Sequence, residues 1–250
     1  GVLDRSAIPV VYQVQDWWAL CPRANFWHVD GFLCPGPAPA GCSACLPMTG
    51  LRPRGPLNRL LHRLRARSMR KALHRASACV MGSKSVRTSY ADAGFFKKGT
   101  PVHVVDYGAR DASDHQTSRR SGGSPLTFGY IGVLMPHKGP HVAIEAFQGM
   151  AAERARLELW GNTTADPEYV ARLLARAEEA PIEIKGPFGD EDKAGILSSI
   201  DVLIVPSVGM ESFGIVARVA IAAGVPVIAS DRGALSEFFT DRRFGATFEP

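Results

Sequence analysis

The chain contains no run of apolar residues approaching the roughly eighteen that a membrane-spanning helix requires. Its opening, Gly1-Val2-Leu3-Asp4, is not a secretory signal peptide. Cysteine is scarce, and four of the five thiols are bunched between Cys21 and Cys45. That is not the disulfide framework of a secreted protein, and a reducing cytosol is the expected compartment. No Gly-x-Gly-x-x-Gly follows any strand-like segment, which disfavours a plain dinucleotide dehydrogenase. Acidic residues are missing altogether from Leu51 to Arg75, and no aromatic residue is interleaved with the basic ones there, so no nucleic-acid partner is expected. The chain also has no initiator Met and stops at Phe248-Glu249-Pro250, straight after a strand-like stretch; a fragment of a longer protein is expected.

What is present is ample for a folded protein. The 250 residues suit one large or two small domains, and 46% hydrophobic residues can build a core. The net charge of +5 is unevenly placed. Arg52, Arg54, Arg59, Arg63, Arg65, Arg67, Arg70, Lys71 and Arg75 crowd one stretch in which Leu57, Leu60, Leu61, Leu64 and Leu73 recur at helical spacing. This pattern predicts a basic amphipathic helix. It either lies on an anionic membrane surface or turns its leucines to the core and its arginines to solvent.

Residues 113–125, Ser-Asp-His-Gln-Thr-Ser-Arg-Arg-Ser-Gly-Gly-Ser-Pro, are polar and rich in turn formers, and read as a linker. Beyond them the pattern alternates. Leu126–Leu134, Arg156–Trp160, Ile182–Lys185, Val202–Val205 and Val225–Ala229 read as strands; Pro140–Met150, Pro167–Glu179, Asp190–Ile200 and Gly214–Ala223 read as helices. Strands alternating with helices of that length imply parallel βαβ units in a doubly wound sheet. Before the linker, strands are predicted at Pro9–Val14, Ala78–Met81 and Val102–Val105, with the basic helix between the first two. Residues 1–112 thus read as the latter part of one α/β domain and 126–250 as a second.

The segment from Asp201 to Ser230 carries the chemistry. A strand leads through a short turn, Glu211-Ser212-Phe213-Gly214, into a helix of small residues and then a second strand. Backbone N–H groups at such a helix start, together with the helix dipole, favour phosphate. Glu211 at the lip would repel phosphate, and is suited instead to accept hydrogen bonds from hydroxyls attached to it. Phosphate donors beside a hydroxyl acceptor suggest a nucleotide sugar.

Together and in order, several segments resemble the retaining glycosyltransferases of family four. In the second half these are Gly129-Tyr130-Ile131-Gly132-Val133-Leu134, Lys138-Gly139, Glu145-Ala146-Phe147, Glu211-Ser212-Phe213-Gly214 and Gly224-Val225-Pro226-Val227-Ile228-Ala229-Ser230. In the first half Asp16-Trp17-Trp18, Cys21-Pro22-Arg23, Gly82-Ser83-Lys84-Ser85 and Tyr107-Gly108 are similar to the family. The resemblance implies a GT-B fold of two Rossmann-like domains, the first incomplete at its N-terminus and the second at its C-terminus. It implies transfer of a sugar from a nucleoside-diphosphate sugar to a saccharide or lipid-linked acceptor, with no metal required for catalysis. Lys138 would meet the donor diphosphate, offsetting the charge on the departing nucleotide. Glu211 would bind donor-sugar hydroxyls, the N–H groups of Phe213, Gly214, Ile215 and Val216 would cradle phosphate, and Gly132 and Ser212 would also contact the donor. Gly186 and Phe188 fall where relatives seat the nucleobase.

Three positions depart from the family pattern. The second carboxylate of its Glu-x7-Glu motif is Val219, the usual Arg after the first-strand glycine is Val133, and the usual His before Asp16 is Gln15. These departures set a second reading beside the enzyme: a non-catalytic homologue that binds nucleotide or a partner protein.

Cys21, Cys34, Cys42 and Cys45, spaced by twelve, seven and two intervening residues, can meet the tetrahedral demand of a structural zinc. An iron–sulfur cluster or a set of reduced thiols fits the same spacing, and His28 is near enough to replace one ligand. Cys79 lies in a predicted strand and reads as core.

Overall fold

The computed structural model describes residues 8–47, 52–107, 125–237, 239 and 243–250. The opening Gly1–Asp4, Gly108 and all of the expected linker except Pro125 lie outside the described residues. The chain divides into two compact units, Gly1–Tyr107 and Gly108–Pro250.

The first unit holds a parallel sheet in the order β1 (Val11–Val14), β2 (Ala78–Met81), β3 (Val102–Val104). Between β1 and β2 come α1 (Pro39–Cys45) and α2 (Pro56–Leu73), and α3 (Lys84–Asp92) joins β2 to β3. Neither α1 nor α3 is announced by apolar periodicity. α1 is a short piece of a Pro- and Gly-rich stretch, and α3 is started by Ser83, whose hydroxyl accepts the Val86 N–H at 3.2 Å. The core is built from Trp17, Leu73, Cys79, Met81, Val86 and Tyr90, all essentially inaccessible. The Tyr90 hydroxyl donates to the Asp16 carbonyl at 3.0 Å and accepts from the Ala19 N–H at 3.3 Å, tying the turn after β1 to α3. Burial pushes that phenol far above its usual range.

The basic helix α2 does not turn most of its leucines to the core. Its inward residues are Asn58, His62 and Leu73, while Leu57, Leu60 and Leu64 are about half exposed. Asn58 Nδ2 donates to the Ser43 carbonyl at 3.0 Å, and His62 Nε2 lies 3.0 Å from the Leu46 carbonyl. Arg65 and Arg70 also turn inward. The Arg65 guanidinium donates to the Trp18 and Ala19 carbonyls and lies over the Trp18 ring, and Arg70 donates to the Ala93 carbonyl above Phe95. The neighbouring loops have few regular hydrogen bonds of their own, so α2 satisfies their carbonyls with side chains.

The second unit is one six-stranded parallel sheet in the order β6-β5-β4-β7-β8-β9, with β4 Leu126–Ile131, β5 Ala155–Trp160, β6 Ile182–Gly186, β7 Val202–Val205, β8 Val227–Ser230 and β9 Gly245–Phe248. The connecting helices are α4 (Pro140–Ala146), α5 (Pro167–Ala177), α6 (Lys193–Ser199) and α7 (Ile215–Ala222). Alternate strand residues serve opposite faces. Tyr130, Leu157, Leu159 and Ile204 pack with α4 and α5, whereas Ile131, Leu203, Val205 and Val227 pack with α6 and α7. The helices are shorter than the sequence pattern suggests because turns occupy their ends. Gly189 N–H, for instance, is held by the Asp192 carboxylate at 2.8 Å, and α6 starts only at Lys193. Asp201 pins β7 beside β4: its N–H donates to the Thr127 carbonyl, and its carboxylate accepts the Thr127 N–H, each at 2.7 Å.

The packing of α2 gives a prediction opposite to its apolar periodicity. Leu60→Gln should shift unfolding free energy by no more than about 0.5 kcal/mol. Asn58→Ala should cost ~1–3 kcal/mol, because it strips the Ser43 carbonyl of a buried donor. Denaturant titration of both variants checks this, and a larger loss for Leu60→Gln would contradict the packing described.

Candidate functional site

Strand order reverses between β4 and β7: β5 and β6 lie outside β4, while β8 and β9 lie outside β7. In open α/β sheets ligands bind beyond the carboxyl ends of the strands at such a point. Here the ladder between β4 and β7 runs only from Phe128/Val202 to Gly129/Leu203. The strand ends beyond it, Tyr130-Ile131 and Ile204-Val205, line a cavity of about 400 Å³.

Two loops close on this cavity, one after β4 and one after β7. The first contains a single 3₁₀ turn, Pro136–Lys138, ended by Gly139 in the left-handed region at φ 68°. A Cβ on Gly139 would stand 1.9 Å from the Pro206 carbonyl oxygen, so the two loops approach as closely as the backbone allows. They are also stapled: the His137 carbonyl accepts the N–H groups of Val208 and Gly209, at 3.0 and 2.9 Å. This staple brings Lys138 Nζ to 2.7 Å from Glu211 Oε1, although the two residues are 73 positions apart in the chain. Ser207 Oγ donates to the same Oε1 at 2.6 Å. Among the described residues no hydrogen bond falls on Oε2. The Glu211 side chain is only 12% exposed, so its charge is held in place by two donors rather than by water. Its backbone is fixed as well, through a parallel bridge to Gly233 and the Ala234 N–H donating to its carbonyl at 2.7 Å.

The start of α7 forms another part of the wall. Its N-cap is Gly214 in the left-handed region, φ 72°, and no side chain caps it. A Cβ there would meet Leu235 Cδ2 at 2.7 Å, so glycine is demanded by both conformation and space. The N–H groups of this first turn carry the positive end of the helix dipole. Phe213, just before it, is buried, with the Arg218 guanidinium 3.8 Å from its ring centroid and Arg218 Nε donating to its carbonyl. Tyr130 lies beneath the cavity with its hydroxyl donating to the Val133 carbonyl at 2.8 Å; burial keeps that phenol protonated, far above its usual range.

The structure thus gathers Gly132, Lys138, Glu211, Ser212, Phe213, Gly214, Ile215 and Val216 around one cavity. Gly186 and Phe188 are not among the residues lining it, and Phe188 packs against the α6/α7 core beside Trp160. Val219 does line it, so the position of the family's second carboxylate faces the cavity with an apolar side chain. Val133 is 43% exposed and lies outside the lining, and Gln15 is an exposed residue of the first unit. Sequence reading missed Ser207 and Lys193. Ser207 stands four residues before Glu211 at the end of β7, a spacing that signals a shared turn. Lys193, at the first position of α6, reaches the lining while pairing with Asp190 at 2.6 Å, and nothing in the sequence separates it from other surface lysines.

Comparison with known proteins agrees with this geometry. The profile of the family described as Glycosyl transferases group 1 matches residues 125–250. The chain belongs to that family. It is 34% identical over 127 residues to a D-inositol 3-phosphate glycosyltransferase of Streptomyces avermitilis, an alignment covering 46% of this chain and 27% of that protein. It is 36% identical over 110 residues to a phosphatidyl-myo-inositol mannosyltransferase of Mycobacterium leprae, covering 44% and 29% respectively. The matches to these two curated relatives thus cover less than a third of their length. In fold it is similar to Anabaena HepE, solved in complex with UDP and glucose, with a TM-score of 0.67 at 20% identity over 97% of this chain and 58% of that one. The two parallel sheets are therefore those of the Rossmann-like halves of GT-B glycosyltransferases, as the resemblance implied.

The loop staple is directly testable. Gly139→Ala must place a side chain in the left-handed region and against the Pro206 carbonyl, and should lower stability by ~2 kcal/mol or more. An unchanged denaturation midpoint would show that the two loops do not meet as described.

Proposed function

We propose that this protein is a retaining glycosyltransferase that moves a sugar from a nucleoside-diphosphate sugar to a saccharide or lipid-linked acceptor. The observation that carries the reading is the Lys138–Glu211 pair beside the uncapped start of α7, at the switch point of the sheet. A cation and a set of backbone donors suit a diphosphate; a fixed carboxylate beside them suits the hydroxyls of the sugar it carries. Lys138 then exchanges its contact with Glu211 Oε1 for a diphosphate oxygen, while Ser207 keeps the carboxylate oriented.

In the reaction the bond between the anomeric carbon and the diphosphate oxygen breaks, and the diphosphate departs with the electron pair. The acceptor oxygen bonds to the same face of that carbon, and its proton passes to the departing diphosphate. No protein nucleophile is used. Lys138 and the α7 dipole oppose the negative charge as it gathers on the leaving group, where a fixed positive charge lowers the barrier most. Solved relatives are described in complex with UDP and with UDP-glucose, which makes UDP the first probe.

Val219 favours a second reading, a homologue that binds nucleotide without turnover, because an apolar surface stands where a ribose-binding carboxylate would. Titration calorimetry should give one UDP site, weakened by about tenfold or more in Lys138→Ala, the loss of one charge-assisted contact of ~1.5–3 kcal/mol. Unchanged affinity would remove Lys138 from the site. Glu211→Gln should retain UDP binding but lose transfer and donor hydrolysis, and Val219→Glu should tighten UDP binding. Nucleotide binding with no Glu211-dependent turnover of any common nucleotide sugar would leave the non-catalytic reading standing.

A membrane-bound acceptor would suit α2, which exposes Leu57, Leu60 and Leu64 together with Arg59, Arg63 and Arg67. No helix among the described residues is long and apolar enough to cross a membrane, so this would be surface binding. Binding to phosphatidylserine vesicles should fall as salt rises, and should weaken when those three arginines are replaced by Gln. Equal binding to neutral vesicles would refute an electrostatic attachment.

A further inference from the structure

The stretch from Gln15 to Ala38 has almost no regular structure. Its one strand-like feature is an isolated bridge between Trp27 and Leu33, and Ala24 and Phe26 both take positive φ, at 64° and 51°. A long irregular segment inside a compact unit needs something other than ladders to hold it. A few buried side chains, notably Trp17 against Phe26 with ring centroids 5.6 Å apart, do part of this. Beside them Cys21, Cys34, Cys42 and Cys45 converge from two loop positions and from α1 on one small cavity of about 20 Å³. That is room for a single water-sized occupant. All four thiols are unpaired by disulfides.

We infer that Cys21, Cys34, Cys42 and Cys45 bind one divalent zinc ion as a structural tetrathiolate site that cross-links this segment to α1.

Cys42 and Cys45 are three apart on one short helix, so both thiols sit on the same face. Two features of the surroundings favour a metal over incidental crowding. The first is support from α2. Asn58 and His62 grip the Ser43 and Leu46 carbonyls on either side of Cys45, and Arg65 grips the Trp18 and Ala19 carbonyls just before Cys21. Three long, partly or wholly buried polar side chains fix the backbone that carries the cysteines. Such outer bonds are what orient metal ligands. The second is charge. Zinc with four thiolates carries a net charge of −2, and the cavity is walled by Arg23, with the Arg65 guanidinium close enough to feel Cys21 and Cys42.

As the structure stands, no three or more His, Cys, Asp or Glu side chains among the described residues are arranged to hold a metal. The Cys34 thiol instead donates to the Gly36 carbonyl at 3.3 Å. Zinc binding would release the thiol protons, freeing the sulfurs to turn inward. His28 also borders the cavity, but its Nδ1 accepts the Asp30 N–H at 3.2 Å and its ring stacks on Phe32, so its role is local packing.

The experiment is elemental analysis of the intact chain purified from zinc-replete medium without added chelator. It should give about one zinc per chain, as expected of a closed four-thiolate site. His28→Ala should retain it, and Cys42→Ser/Cys45→Ser should lose it together with proteolytic protection of the first unit. Because removing two partly buried thiols can by itself unfold the unit, the wild-type protein is also stripped at mild acid and refilled with cobalt(II). A tetrahedral thiolate–cobalt spectrum, competed away by equimolar zinc, supports the site independently of the variant. Folded protein with neither metal nor cobalt spectrum and with all four thiols reagent-accessible would overturn the proposal. Stoichiometric iron with sulfide-bridged absorption would overturn the zinc assignment.

Discussion

Two loops from opposite sides of a topological switch point are stapled by the His137 carbonyl, which accepts two N–H groups from the loop after β7. Everything chemical in the second unit depends on this contact. It sets Lys138 against Glu211, lets Ser207 share the same carboxylate oxygen, and aligns both with the start of α7. A mobile lysine on a surface turn would spend much of its time in water, with its charge screened and its rotamers populated freely. Held 2.7 Å from a largely buried carboxylate, it is already where a phosphate would need it. Gly139 is what permits the contact, because no side chain fits between its Cα and the Pro206 carbonyl.

The same cavity is unusual in its wall. Membership in the Glycosyl transferases group 1 family brings an expectation of two acidic positions on either side of the helix start, and the second of these is an apolar Val219 that nonetheless faces the cavity. A carboxylate accepts hydrogen bonds from ribose hydroxyls; a valine cannot, and offers only surface for a ring to lie against. Lys193 enters the lining from α6 and adds a second cation to the cavity.

In the first unit the governing constraint is backbone satisfaction. Carbonyls in the turn after β1, in and just after α1, and at the end of α3 have no ladder partner, and α2 donates to them from Arg65, from Asn58 and His62, and from Arg70. Burying polar side chains is unfavourable only when they lack partners, and here each finds a carbonyl. Leu57, Leu60 and Leu64, lacking such work, stay about half exposed, while Leu73 at the end of the helix is buried. This arrangement inverts the usual amphipathic rule and explains why hydrophobic periodicity misjudges which face of the helix is buried.

Much of the second unit was legible in the sequence by itself, because each of its strands and helices carries its own periodicity and each packs on the sheet face that periodicity indicates. The parallel α/β class, the positions of β7 and α7, and the grouping of Glu211 with the helix start all follow from local pattern. Cys79 as core follows too, from its place in an apolar strand. Other features are properties of distance in space and have no local trace. The Lys138–Glu211 contact joins residues 73 positions apart, Val219 could have faced core or cavity on the same helix, and Phe188 packs against the α6/α7 core. The inward polar face of α2 and the convergence of four cysteines on one small cavity belong to the same kind. Sequence determines what a segment can bury; which partner it meets there is decided only when the chain closes on itself, and for the inward polar face of α2 those partners are backbone carbonyls, which every residue possesses and no residue type announces.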